Sequence, residues 1–187
     1  MNAPRWVAIT PGDGRALWPW LKGLLDVHPL TVVVREPTGV PDDLATRIRD
    51  YGGRCIWHEK TPEAPPRLPQ HLTALGPPSA GRWSRSCHDA ESLIRALEEG
   101  ADWCTLSPVY PPGSKPDDTR PTLGPETFFE LAKGRPVVAL GGLNPSRAQY
   151  LLRRGASGVA GIGLFFGHPN PSAAARTWAQ LLETTRG

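Results

Sequence analysis

Val137-Val138-Ala139-Leu140-Gly141-Gly142-Leu143-Asn144-Pro145, followed by Gly158-Val159-Ala160-Gly161-Ile162-Gly163, decides the fold. Each stretch is a short apolar run, rich in β-branched residues, that ends in glycines. That pattern reads as a strand with an abrupt end. Asn144-Pro145 reads as a helix start, because asparagine caps open amides and proline pre-sets the first helical φ. Strand, helix and strand at this spacing make one βαβ unit with its strands parallel. Glycine at a strand end lets bare backbone amides approach a ligand, since no Cβ intervenes. Two such ends beside a helix N-terminus form a phosphate cradle. The alternative is that the glycines serve only tight turns.

The same alternation runs outward in both directions. Candidate strands cover residues 6–10, 30–35, 54–58, 71–75, 82–86, 103–109, 137–140 and 159–162. The runs at 31–34 and 136–140 are apolar throughout, as strands buried on both faces must be. Asp42 starts a helix with Leu44, Ile48 and Tyr51 on one face, closed by Gly52. Asp89 starts another with Leu93, Ile94 and Leu97 inward, closed by Gly100. Asn144-Pro145 opens a helix that buries Ala148, Leu151 and Leu152, and Asn170-Pro171 opens one that buries Trp178, Leu181 and Leu182. About eight strands separated by helices predict an α/β protein, a compact (β/α)8 TIM barrel over residues 1–187 as a single phosphate-binding domain. The proline-rich segment 61–78 leaves little room for helices, so one or two are reduced or missing.

Composition narrows the class. A chain of 187 residues with 39% apolar and 21% charged residues can bury one good core. The 20 glycines and 22 prolines fall between periodic segments and read as loop punctuation. A net charge of +3, scattered along the chain, favours an anionic small molecule and does not call for nucleic acid. No apolar run is long enough to span a membrane and no signal-peptide core is visible, so the expectation is a cytoplasmic protein. Cys55, Cys87 and Cys104 show no CxxC spacing and read as buried, reduced thiols, with Cys87 best placed if one is catalytic.

In a parallel barrel, chemistry sits at the C-terminal ends of the strands. Those positions hold Arg35-Glu36, His58-Glu59-Lys60, Ser86-Cys87-His88, Ser107, Ser114-Lys115, Asn144 and the glycine pairs. The loop from Tyr110 to Asp118 is long for a βα connection and is a candidate lid carrying the mobile cation Lys115. His58 and His88 are candidate acid–base groups, with helix capping the competing role for His88. Ser86 can bond a ligand or its own backbone. His28, His71 and His168 read as loop residues without a role. Trp18, Trp20 and Trp178 read as core at helical spacing. Trp57 and Trp83 occupy strands.

On these residues the chain resembles the thiamin phosphate synthase and TenI superfamily. The similarity is carried by Arg85-Ser86-Cys87-His88-Asp89, Gly100-Ala101-Asp102-Trp103, Ser107-Pro108-Val109-Tyr110-Pro111, Ser114-Lys115-Pro116, Leu123-Gly124, the 138–143 stretch and the 155–160 stretch. The resemblance implies that Lys115 meets pyrophosphate and that Ser86 belongs to the site. It also implies that Gly141, Gly142, Gly161, Ile162 and Gly163 cradle a thiazole phosphate, while Arg35 binds the pyrophosphate of a pyrimidine substrate. Where the synthase pattern holds magnesium with Asn-Asp after the third strand, this chain has His58-Glu59. Where it has an aspartate after the fourth, this chain has Leu75-Gly76-Pro77-Pro78, and Pro37 replaces a lysine. The TenI branch performs a metal-free proton shift, although its histidine after the sixth strand is Pro108 here.

The expectation is therefore a TenI-like thiazole phosphate tautomerase of thiamin biosynthesis or salvage, with His58, His88 and Lys115 catalytic. Arg35, Ser86, Ser114 and the glycines then bind substrate, and no metal or cofactor is required. The alternatives are a thiamin phosphate synthase, which requires magnesium, and a non-catalytic binder of a phosphorylated ligand. Partners are thiazole phosphate or thiamin phosphate, without nucleic acid or membrane; the resemblance implies a homodimer, and Trp18 or Trp20 could contribute to its interface.

Overall fold

A computed structural model describes residues 3–62, 68–111 and 121–185. Eight parallel strands close into a barrel in chain order: β1 (Trp6–Ile9), β2 (Thr31–Val34), β3 (Arg54–His58), β4 (Gln70–Leu72), β5 (Trp83–Cys87), β6 (Trp103–Leu106), β7 (Val137–Ala139) and β8 (Gly158–Gly161). The closing pair sets Val7 opposite Ala160 and Ala8 opposite Gly161. Around it lie α1 (Leu17–Val27), α2 (Leu44–Asp50), α3 (Ala90–Glu98), α4 (Gly124–Ala132), α5 (Pro145–Arg153), the single turn α6 (Gly163–Phe166) and α7 (Pro171–Thr184). No helix among the described residues is long and apolar enough to cross a membrane.

Side-chain alternation divides the strands between two layers. Val7, Ile9, Val33, Ile56, Trp103, Val138 and Ala160 fill the barrel, while Trp6, Ala8, Val32, Val34 and Trp57 face the helices. Trp178 of α7 meets Trp6 edge-on, with ring centroids 4.7 Å apart. Three caps form as the sequence implies, whereas at the start of α2 the N-cap position is Asp43, not Asp42, and its side chain makes no capping bond. Asn144 accepts the Arg147 amide at 2.9 Å, Asn170 accepts that of Ala173 at 2.9 Å, and Asp89 accepts that of Ser92 at 2.7 Å.

The reduction falls in the expected place. Residues 73–82, between β4 and β5, form no helix, and the described residues between β3 and β4 form none either. In the gap after β4, β5 sends Arg85 outward, opposite to Ser84 and Ser86. It is 2% exposed, donates to the Gly76 carbonyl at 2.6 Å, pairs with Glu99 just past α3 and lies over the Trp83 ring. A guanidinium thus fills part of the space that a helix would occupy.

Several details differ from expectation. Ile94 is 46% exposed, and Ala96 takes the inward place beside Leu93. Trp18 and Trp20 are half-buried at the edge of α1. Arg47 and Tyr51 cover the first, and Arg15 and Phe166 the second. All three cysteines are buried and unpaired. Cys87 faces α3, with its Sγ 3.5 Å from the Ser92 carbonyl, so it cannot serve a mouth-side reaction.

Candidate functional site

The C-terminal ends of the strands surround a cavity of about 720 Å³. Its wall is divided by strand. Ile9, Leu140, Ala160 and Ile162, from β1 and the β7 and β8 ends, make an apolar side; His58, His71, Ser86 and Ser107, from β3 to the β6 end, make a polar one. Arg35, Lys60 and Arg147 reach the rim, and among the described residues no aspartate or glutamate lines the cavity. A wall with cations and no carboxylates accepts anions.

The glycine cradle sits at the β7 and β8 ends. Gly141 and Gly142 have φ of 102° and 62°, where L side chains are strained. A Cβ on Gly141 would lie 2.7 Å from the Pro108 Cα, and one on Gly142 2.7 Å from the Tyr110 carbonyl oxygen. The tight-turn role is therefore real, and it also exposes backbone at the mouth. Gly161 is held small by Leu164, whose Cβ would be 3.0 Å from an added Cβ, whereas Gly163 opens onto unfilled space. Among the described residues, no backbone carbonyl accepts the amides of Gly142, Leu143, Gly163 or Leu164. Arg147, which the sequence reading overlooked, donates to the Gly142 carbonyl at 2.6 Å and stacks on Tyr110. Asn144 is spent on its capping bond, but its helix points its N-terminus at the cradle.

On the polar side, the main correction is His71. It is a β4 residue inside the barrel, 2% exposed, stacked on Trp103. Its Nδ1 lies 2.8 Å from Ser84 Oγ and its Nε2 2.9 Å from Ser86 Oγ. Ser84 donates to the Gln70 carbonyl, so it accepts from His71 Nδ1–H, and Ser86 donates to Nε2. Ser86 therefore presents its lone pairs to the cavity. Burial, reinforced by the nearby His58, holds the His71 pKa down at about 3, so the ring is neutral.

His58 lines the cavity 6.0 Å from His71, ring to ring. Its Nδ1 accepts the Lys60 amide at 3.1 Å, which leaves the proton on Nε2. Burial first, then the charges of Arg35 and Lys60, push its pKa down to about 4 against the opposing pull of Glu59. His88 serves the start of α3 through its backbone and lines the cavity. Its amide donates to Ser92 at the α3 cap, and its Nδ1–H donates to the Ser107 carbonyl at 2.9 Å, which makes Nε2 the basic nitrogen. Arg35 donates to the Pro11 carbonyl at 3.3 Å and lines the cavity. Ser114 and Lys115, with most of the candidate lid, lie outside the described residues.

The carboxylates nearest the mouth are committed elsewhere. Glu36 is 3% exposed and accepts the Gly12 amide at 3.0 Å, tying the β1 loop to β2. Glu59 lays its Oε2 against Gly76 of the β4 loop. Magnesium needs several hard oxygen ligands in octahedral array. Among the described residues no group of three or more His, Cys, Asp or Glu could hold a metal. Among the described residues the donor set does not fit magnesium.

The comparisons agree with this geometry. Residues 83–165 match the family model described as thiamine monophosphate synthase. The thiamine-phosphate synthase of Geobacillus kaustophilus is 34% identical over 104 residues, 54% of this chain and 47% of that protein. The chain thus spans about half the length of the curated relatives it matches. Thiamine phosphate pyrophosphorylase from Pyrococcus furiosus superposes with a TM-score of 0.73 at 19% identity, covering 98% of this chain and 97% of that one. The 3-hexulose-6-phosphate synthase of Salmonella typhimurium reaches 0.66 at 11% identity, covering 97% and 100%, which shows a shared fold. Over the strands that carry Ser86, His88 and the glycine cradle the chain is thus similar to thiamine monophosphate synthases, and the eight-strand closure is a fold it shares with them.

Proposed function

We propose that this chain acts in thiamin phosphate formation, joining a thiazole phosphate to a pyrimidine diphosphate. The observation that carries this reading is a single cavity with two anion-accepting ends. Arg35 and Lys60 stand at β2 and β3; the glycine cradle and Arg147 stand at β7 and β8. In a closed eight-strand barrel β3 and β7 are four strands apart, so the two ends face each other. In the reaction a C–N bond forms while the C–O bond to pyrophosphate breaks, and the leaving group keeps the electron pair. Arg35 and Lys60 stabilise that growing charge, and the cradle fixes the thiazole phosphate. Incubation with both substrates should yield thiamin phosphate. A protein that binds thiazole phosphate yet makes no product overturns the reading.

The cradle has its own test. Gly163 opens onto empty space, so Gly163→Val leaves the fold intact but puts two methyl groups where the phosphate sits. The melting temperature should hold, while thiazole phosphate affinity falls by about tenfold or more, roughly 1.4 kcal/mol. A second reading, a proton shift on bound thiazole phosphate, is supported by the complementary ring nitrogens. His58 offers Nε2–H and His88 a basic Nε2 in one mouth. Tautomerase turnover lost in both His58→Ala and His88→Ala would favour it.

A further inference from the structure

We infer that the β2–β3 end of the cavity is a metal-independent diphosphate subsite, in which the Lys60 ammonium and the Arg35 guanidinium together replace a divalent cation. The inference rests on the proposed reading that the mouth receives an organic diphosphate, and it specifies how this chain holds that group.

Three observations converge. Arg35 and Lys60 line the same cavity from the ends of neighbouring strands. Both lie close enough to His58 to disfavour its protonated form, so their positive fields overlap at one spot on the wall. The carboxylate that follows His58 does not enter that spot. Glu59 turns to the β4 loop, with Oε2 against Gly76, and it is absent from the cavity lining. Gly76 has no side chain to offer, and Glu36 is fixed to the Gly12 amide.

The consequence is a reversal of the usual dependence. A carboxylate-lined site repels a bare diphosphate and needs magnesium between the two. A site of two cations attracts the bare anion, and magnesium bound to the diphosphate removes part of the charge that they recognise. Lys60 supplies a point charge on a flexible stem, and Arg35 supplies a planar fork that can take two phosphate oxygens. The Lys60 amide bond to His58 Nδ1 holds the backbone from which that stem leaves.

The test is a calorimetric titration of the whole chain with inorganic pyrophosphate, once in EDTA and once with millimolar magnesium. Binding is expected in EDTA, with affinity lowered about threefold or more by magnesium. Lys60→Met should weaken binding in EDTA by about tenfold, and Lys60→Arg should restore most of it. Glu59→Gln should change the affinity less than about twofold, since the carboxylate does not face the anion. Lys60 is exposed, so an unchanged melting temperature separates lost binding from lost folding. Three results would overturn the inference: pyrophosphate binding that requires magnesium and disappears in Glu59→Gln, affinity indifferent to Lys60→Met, or no binding in either buffer. Because the probe is pyrophosphate alone, the outcome stands apart from turnover. A working synthase with magnesium-dependent pyrophosphate binding would sink this inference and leave the proposed function standing.

Discussion

Replacing Glu99 by alanine is expected to lower stability by about 3–5 kcal/mol, and to do more harm than replacing its partner Arg85 by methionine. The asymmetry follows from exposure. The Arg85 side chain is 2% exposed, whereas that of Glu99 is 33% exposed. Loss of Glu99 strands a guanidinium that cannot deprotonate, in a site where, among the described residues, the Gly76 carbonyl and the Trp83 face are left to receive it. Its Nε already has no partner. Loss of Arg85 instead leaves a carboxylate that can turn to water, while methionine packs on Trp83. The cost is then about 1–2 kcal/mol for the Gly76 carbonyl left without its donor. The double variant should be more stable than Glu99→Ala alone. Urea midpoints at constant m-value read the three differences. A Glu99 variant milder than the Arg85 variant would mean that the pair behaves as a surface contact and does not stand in for a helix.

Arg85 also shows where the sequence stops being legible. A serine-flanked arginine in a strand reads as a polar residue on an exposed face, and only the gap after β4 explains why it is buried. Elements with strong punctuation were readable. Asn144-Pro145 and Asn170-Pro171 cap α5 and α7, and the apolar run at 31–34 is buried on both faces. The glycine cradle and the placement of Arg35, His58, Ser86 and His88 at one mouth follow from the barrel rule.

His71 was not readable, because β4 has only three residues and sits in a proline-rich stretch where period-two alternation has no room to show. Its pairing with Ser84 depends on a register that only the closed barrel sets. Arg147 did leave a signal. A cation in the first turn of a helix opposes the helix dipole, and such a residue is worth asking about. It braces Gly142 from below the cradle. The turn of Glu59 toward Gly76 joins two loops across β3 and β4, and no local pattern encodes it.

Acid is expected to unfold this protein through its two interior histidines. An unfolded histidine takes up its proton near pH 6.5, but folded His58 resists until about 4 and folded His71 until about 3. Between those values the unfolded chain binds more protons than the folded one. Stability therefore falls as pH drops below about 6.5 and is unaffected by these groups above it. Each histidine contributes up to about 1.4 kcal/mol per pH unit, so by pH 4.5 the pair can remove about 5 kcal/mol, the lower end of a typical stability. Urea unfolding at pH 7, 6, 5 and 4.5 should show a slope approaching about 2.7 kcal/mol per unit, roughly halved in His71→Gln. An unchanged slope in that variant would assign the acid sensitivity to other groups. With ring centroids 6.0 Å apart, a proton on one ring opposes a proton on the other, so the two steps belong to the pair. The same neutrality shapes binding. Down to the pH at which the fold fails, His58 and His71 serve as hydrogen-bonding groups and add no charge. Their protonation should therefore not raise the affinity of the mouth for anions, and the attraction stays with Arg35, Lys60 and Arg147.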